Sequence, residues 1–228
     1  MKQIKILHLY YDLLNLYGEN ANVRALTKAL EKQKVKVLID FKSIGDNIKI
    51  NDYDFIYLGS GSEENLNIVK DDFKKYIKDI KDYIDNNKYL LATGNALDLF
   101  SDILNFKTKQ IDFRIVGEQV YSFNKIKELI IGFQNRNSVL YDVKENNLFN
   151  VKKGTGYEPN SLKEGIIKNN FYGTYLLGPI LIRNPYLLDY LVKSILVSNN
   201  IIYNKIKKDI SYKAYEEFLK NNVNNKED

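Results

Sequence analysis

The stretch Tyr89-Leu90-Leu91-Ala92-Thr93-Gly94-Asn95-Ala96 reads as a buried strand that stops at a glycine and turns into a helix. A short uncharged run bounded by a turn signal suits a strand covered on both faces, and Ala96 to Leu104 carries helical spacing beyond it. Upstream, Asp54 to Leu58 is a similar strand ending at Gly59-Ser60-Gly61-Ser62. A single long amphipathic helix is predicted after that turn, roughly Glu63 to Asn86, with Phe73, Ile77, Ile80 and Ile84 on one stripe. Further upstream, Ile4 to Tyr10 reads as a strand, Tyr11 to Asn20 as a polar and aromatic loop, Ala21 to Gln33 as a helix and Val35 to Ile39 as a strand. Strands alternating with helices are the signature of an α/β fold, a mostly parallel sheet of flavodoxin-like type with helices on both faces.

Beyond Phe113 the texture changes. Arg114 to Phe123, Glu128 to Phe133, Ser138 to Val143 and Leu148 to Lys152 read as separate short strands, and helices return at Pro185 to Ser198 and Ser211 to Leu219. No repeat or linker interrupts the chain. Residues 4–205 are expected to form one domain, and residues 206–228 a C-terminal helix with a polar, disordered tail from Lys220.

Composition removes several function classes. The 228 residues contain no cysteine and one histidine, His8. Disulfides, thiolate zinc sites and cysteine nucleophiles are excluded, no metal site or cofactor is expected, and a cytoplasmic address fits. His8, inside the first strand, is expected to be packed or hydrogen-bonded and not catalytic. No run approaches the roughly 20 apolar residues that span a bilayer, and the N-terminus lacks a signal-peptide pattern, so no membrane insertion is expected. The net charge of +5 is interleaved with acids, as in Lys70-Asp71-Asp72-Phe73-Lys74-Lys75, which reads as a solvated helix face and not a nucleic-acid footprint.

In an open α/β sheet, ligands bind outside the carboxyl ends of the strands. Three segments are expected there. Gly59-Ser60-Gly61 is either an ordinary tight turn or a set of exposed N–H groups for an anion. The stretch around Thr93 has the form of a nucleophile elbow. Its apex is Thr93, or Ala92, Gly94, Asn95 or Ala96 if the frame slides, and none is Cys or Ser. Gly173-Thr174-Tyr175-Leu176-Leu177-Gly178-Pro179 is a strand end whose only titratable group is Tyr175.

The run His8-Leu9-Tyr10-Tyr11-Asp12-Leu13-Leu14-Asn15-Leu16-Tyr17-Gly18-Glu19-Asn20-Ala21-Asn22 resembles the opening signature of the GatD family. These are glutaminase subunits of lipid II isoglutaminyl synthase, within the cobyric-acid-synthase-like class I glutamine amidotransferases. Further similarities follow in order, at Tyr57 to Glu63, at Arg114 with Gly117-Glu118, at Gly132-Phe133-Gln134-Asn135 and from Gly173 to Leu181. The resemblance covers about residues 4–195. It implies a glutaminase that feeds ammonia to a MurT-type Mur ligase, which amidates the D-glutamate of lipid II with ATP.

The departures from that family fall on its chemistry. Its elbow cysteine falls on Thr93, the glycine two residues on falls on Asn95, and its histidine falls on Leu177. Its triple-glycine oxyanion turn becomes Gly59-Ser60-Gly61. No catalytic pair is therefore intact, and the candidates for a surviving substrate pocket are Gly59, Ser60, Gly61, Gly94, Arg114 and Tyr175. A hydroxyl needs a base where a thiolate does not, and leucine accepts no proton. Three functions compete. One is a catalytically dead subunit, heterodimeric with a MurT-like ligase. Another is an amino-acid-binding or sensor module that holds glutamine or another amino acid in the old pocket. The last is a rewired enzyme using Asp98, Tyr175 and Glu63, or Arg114, Glu118 and Tyr175, although Asp98 is expected to point to solvent.

Overall fold

In a computed structural model, described over residues 2–224, the alternation of the first strands decides which side chains meet. β1 (Gln3–Leu9), β3 (Phe55–Leu58) and β4 (Tyr89–Thr93) run parallel, with His8 beside Tyr57 and Tyr57 beside Leu91. Successive side chains point to opposite faces. Ile4, Ile6, Phe55, Tyr57 and Leu91 therefore join one core, against α1 (Asn20–Glu31) and α5 (Pro185–Ser198). Leu7, Leu9, Ile56, Leu58, Leu90 and Ala92 join the other. Thr93 shares the parity of Tyr57 and Leu91, so it faces the α1 side.

The sheet has nine strands in the order β2-β1-β3-β4-β9-β8-β7-β5-β6. Its first half is parallel: β2 (Lys36–Lys42), β1, β3, β4 and β9 (Phe171–Thr174). The second half is an antiparallel extension formed by β5 (Lys107–Ser122), β6 (Leu129–Tyr141), β7 (Asn146–Lys153) and β8 (Lys163–Lys168). The two strands expected at Glu128–Phe133 and Ser138–Val143 are one continuous β6, and β8 was not anticipated. The polar stretch between the two segments does not end the strand, because Gln134, Arg136 and Ser138 point inward and are buried in a polar network. Their inward direction keeps the period of two that apolar patterning misses.

The long helix expected from Glu63 is broken. α2 (Glu63–Phe73) and α3 (Ile77–Asp85) flank a tight turn, Lys74–Tyr76. Such a turn places residues three apart nearly in register, which buries Phe73 and Tyr76 together while the Tyr76 hydroxyl donates to the Asp46 carbonyl. The helix expected after Thr93 is also a tight 3₁₀ coil, Gly94–Asp102, burying Ala96, Leu97, Leu99 and Phe100. α4 (Ile180–Arg183) precedes α5, and α6 (Ile210–Leu219) follows an extended strap. The tail expected to be disordered from Lys220 continues helically to Asn224; residues 225–228 lie outside the described residues. Among the described residues, no helix is long and apolar enough to cross a membrane.

Phe100 locks the 3₁₀ coil to the sheet. It is fully buried, with its ring 4.6 Å from that of Phe171 and 5.4 Å from that of Phe73. Phe100→Ala is expected to lower unfolding free energy by about 3–5 kcal/mol, read from urea denaturation. A loss below about 1 kcal/mol would mean that the coil contributes little to the core.

Candidate functional site

The loops after β1, β3, β4 and β9 converge at the carboxyl end of the parallel strands, where the strand order reverses between β1 and β3. The side chain at their centre is Glu19, immediately before α1 and fully buried. One carboxylate oxygen accepts from the Thr93 hydroxyl at 2.8 Å and from the Tyr57 hydroxyl. The other accepts from the Gly178 N–H at 3.1 Å. The backbone of Ser60 adds a further hydrogen bond. Asn22 closes the cluster: its amide donates to the Tyr57 hydroxyl and to the Gly178 carbonyl, and its oxygen accepts from Leu181 N–H.

Glu19 thus packs its side chain directly against the small-residue turn. Burial pushes its pKa up to about 7, against the lowering pull of the hydrogen bonds from Tyr57, Thr93, Gly178 and Ser60. The second donor of the turn is also taken. Asn95 accepts from Gly61 N–H at 3.0 Å and from the Ser60 hydroxyl at 3.1 Å, and its amide donates to the Gly61 carbonyl at 2.8 Å.

The elbow apex is not Thr93. Thr93 has ordinary extended angles, φ −119° and ψ 150°, and its hydroxyl faces Glu19 and Tyr57 between sheet and helix. The left-handed turn falls one residue later, on Gly94, at φ +58°. A Cβ at Gly94 would lie 2.5 Å from the Ser60 side chain and 2.6 Å from Leu177 Cδ2. That direction, between the small-residue turn and the β9 end, is the one a nucleophile requires. The frame shift by one residue is therefore the geometric one, and it puts a glycine at the apex. Ser60 and Leu177 have closed into the space that a side chain would need.

The remaining candidates do not gather into a second constellation. Gly59 packs directly on the side chain of Glu19. Arg114 donates to Glu63 at 2.8 Å and to Asn135 at 2.8 Å, on the exposed side of the turn. Glu118 pairs with Arg183. Tyr175 is fully buried, with its hydroxyl donating to Asp98 at 2.7 Å and the Arg136 guanidinium over its ring at 4.1 Å. Asp98, expected to face solvent, is thus tied into the interior, because the 3₁₀ coil turns it toward β9. Arg114, Glu118 and Tyr175 do not converge, and Glu63 does not join Asp98 and Tyr175. His8 is packed among Tyr57, Phe41 and Tyr11; neither ring nitrogen has a hydrogen-bond partner, and burial lowers its pKa to about 4.

Sequence reasoning missed Glu19, Tyr57 and Asn22. The available signal was an acid close to the start of α1, in the polar and aromatic loop after β1 beside the switch point. The arrangement contains one hydroxyl–carboxylate pair, Thr93 with Glu19, that a general-base mechanism would use. Both members are fully buried and engaged, so a substrate carbonyl has no approach to the hydroxyl.

Known proteins place this geometry. The chain is 28% identical to the lipid II isoglutaminyl synthase (glutamine-hydrolyzing) subunit GatD of Streptococcus pneumoniae, over 97% of this chain and 89% of that subunit. It is 28% identical to the subunit of the same name from Staphylococcus aureus, over 81% of each. The chain is thus similar to GatD subunits over most of its length. No family model matches it. The fold agrees with solved glutamine amidotransferase structures. PurLQS of Thermotoga maritima superposes with a TM-score of 0.61 at 14% identity, covering 87% of this chain and 99% of that one. A glutamine amidotransferase of the same organism gives 0.56 at 12% identity, covering 94% and 89%. This GatD-like chain has the class I glutamine amidotransferase fold with its strand-end pocket filled from within.

Two outcomes test this geometry. The folded Glu19 carboxyl binds its proton more tightly than the unfolded one, whose ordinary pKa is 4.5. Its contribution is therefore present at low pH and lost as pH rises from about 4.5 to about 7. Across that window the wild type is expected to lose on the order of 3 kcal/mol relative to Glu19→Gln, measured by denaturation at several pH values. A difference that stays constant would show an unshifted carboxyl. Separately, Gly94→Ala is expected to destabilise by about 1–3 kcal/mol, because φ is positive and the Cβ meets packed atoms; a neutral result would place the apex elsewhere.

Proposed function

We propose that the chain is a degenerate GatD-like subunit without glutaminase activity. In this reading it docks on a MurT-type, ATP-dependent ligase that amidates the D-glutamate of lipid II in peptidoglycan synthesis. The observation that carries the proposal is the Glu19 carboxyl, seated against the small-residue turn. Three replacements accompany it: glycine at the elbow apex, Asn95 on the second turn donor and Leu177 at the end of β9. Losing one member of a nucleophile–base unit costs about a million-fold in a well-studied hydrolase. Here neither member is available, and Asn95 takes the Gly61 N–H that could otherwise help hold an oxyanion. The relatives named as GatD subunits support the pathway, and the retained architecture outside the elbow supports docking.

The filled pocket counts against the amino-acid sensor reading, since a ligand would have to displace Glu19, Ser60 and Leu177 together. It also counts against a rewired hydrolase at Thr93.

The expected behaviour is direct to measure. Purified chain releases no ammonia from glutamine above background, and Thr93→Ala changes nothing. With its ligase, amidation of the acceptor responds to added ammonium and not to glutamine. Glutamine-supported amidation that disappears in Thr93→Ala would overturn the proposal, and failure to co-purify with the ligase would overturn its docking half. Thr93→Cys with Leu177→His is expected to stay inactive. A thiol at position 93 would face the buried Glu19, which raises thiol pKa, and would not face the pocket.

A further inference from the structure

A cleft of about 410 Å³ lies outside the site above, between α1, the α4–α5 corner and the C-terminal strap. That size is within the range of small-molecule pockets. It exists because α1 presents Ala21 and Ala25 on this side, where larger residues would meet Pro185 and Leu188 of α5. The third wall comes from beyond the core fold, from Ile206 and Tyr212.

The strap that supplies this wall is pinned at several points. Gln33, just past α1, holds Asn204 through two hydrogen bonds, each 2.8 Å, to its backbone N–H and carbonyl. Lys208 donates to the Tyr186 hydroxyl at 2.7 Å and lies over the rings of Tyr186 and Tyr212. Tyr215 donates to the Leu129 carbonyl at 2.7 Å. An opening whose walls are tied independently is preformed, and a ligand entering it loses little to reorganisation.

The charges around the opening are asymmetric. Arg24 and Lys28 on α1 and Lys32 just past its end follow one another at four-residue intervals and line the cleft, with Asp209 as the acid among the lining residues. Asp209 is paired with Lys32 at 3.6 Å. Among the described residues, neither Arg24 nor Lys28 forms an ion pair. The interior is lined mainly by carbon.

From this combination we infer a binding site for an amphiphilic anion, a soluble single-chain molecule whose apolar body enters the cleft and whose carboxylate or phosphate meets Arg24 and Lys28. None of the lining residues belongs to the elbow, so the inference stands whether or not the chain has glutaminase activity.

Calorimetric titration of the full chain with dodecanoate, below its micelle-forming concentration, tests the site. One-to-one binding is expected. Dodecan-1-ol should bind about tenfold or more weakly for want of the charge-assisted contacts, and inorganic phosphate should not bind measurably. Arg24→Glu with Lys28→Glu, on the exposed face, should weaken dodecanoate by a similar factor with Tm retained. Ala25→Trp should abolish binding by filling the cleft; if it fails to fold, the charge reversal remains decisive. Absence of dodecanoate binding, equal binding of the alcohol, or indifference to the charge reversal would each overturn the inference. So would binding only to phosphatidylglycerol vesicles, which would mark surface adhesion and not a cleft.

Discussion

A buried carboxyl with no cation beside it holds together the functional end of this molecule. Removing a carboxyl from water costs several kcal/mol unless its oxygens are hydrogen-bonded. Glu19 meets that demand with two hydroxyls and two backbone groups, drawn from β3, β4 and the turns after β3 and β9. Each donor lies on a different segment, so the demand for hydrogen bonds becomes a constraint on where two strand ends and two turns must sit. Its raised pKa is the other side of the same balance: the hydrogen bonds offset only part of the desolvation, and no neighbouring positive charge offsets the rest.

The replacements around Glu19 form a consistent set. A glycine apex lets Ser60 and Leu177 approach, and Asn95 satisfies the turn donor that an open pocket would leave free. Outside the pocket, Arg114 is paired with Glu63 and Asn135. The Ser60 hydroxyl, the Gly61 N–H and the Gly178 N–H are thus all engaged by the chain's own side chains. Close packing with paired polar groups stabilises such an interior.

The other polar interior lies in the antiparallel half. Arg136 there donates to the carbonyls of Ser138 and Gly156, while Glu164 accepts from Thr174 and from Tyr175 N–H. This network let β6 run straight through a polar stretch, and it turned Asp98 inward. Local hydropathy cannot register such a strand, since its buried positions are occupied by residues that usually face water.

By itself, the sequence determined the alternating strands and helices of the parallel half. It also determined the absence of any thiolate chemistry and the order of motifs that links the chain to GatD. These are properties of residue type and of periods of two and 3.6, which a chain carries before it folds. The tertiary structure alone decided that the apex is Gly94 and not Thr93, that Asp98 points inward, and that Glu19 fills the pocket. Each of those depends on a backbone angle or a contact between segments far apart in the chain, as between Glu19 and Gly178. Nothing local to either residue records that they will meet.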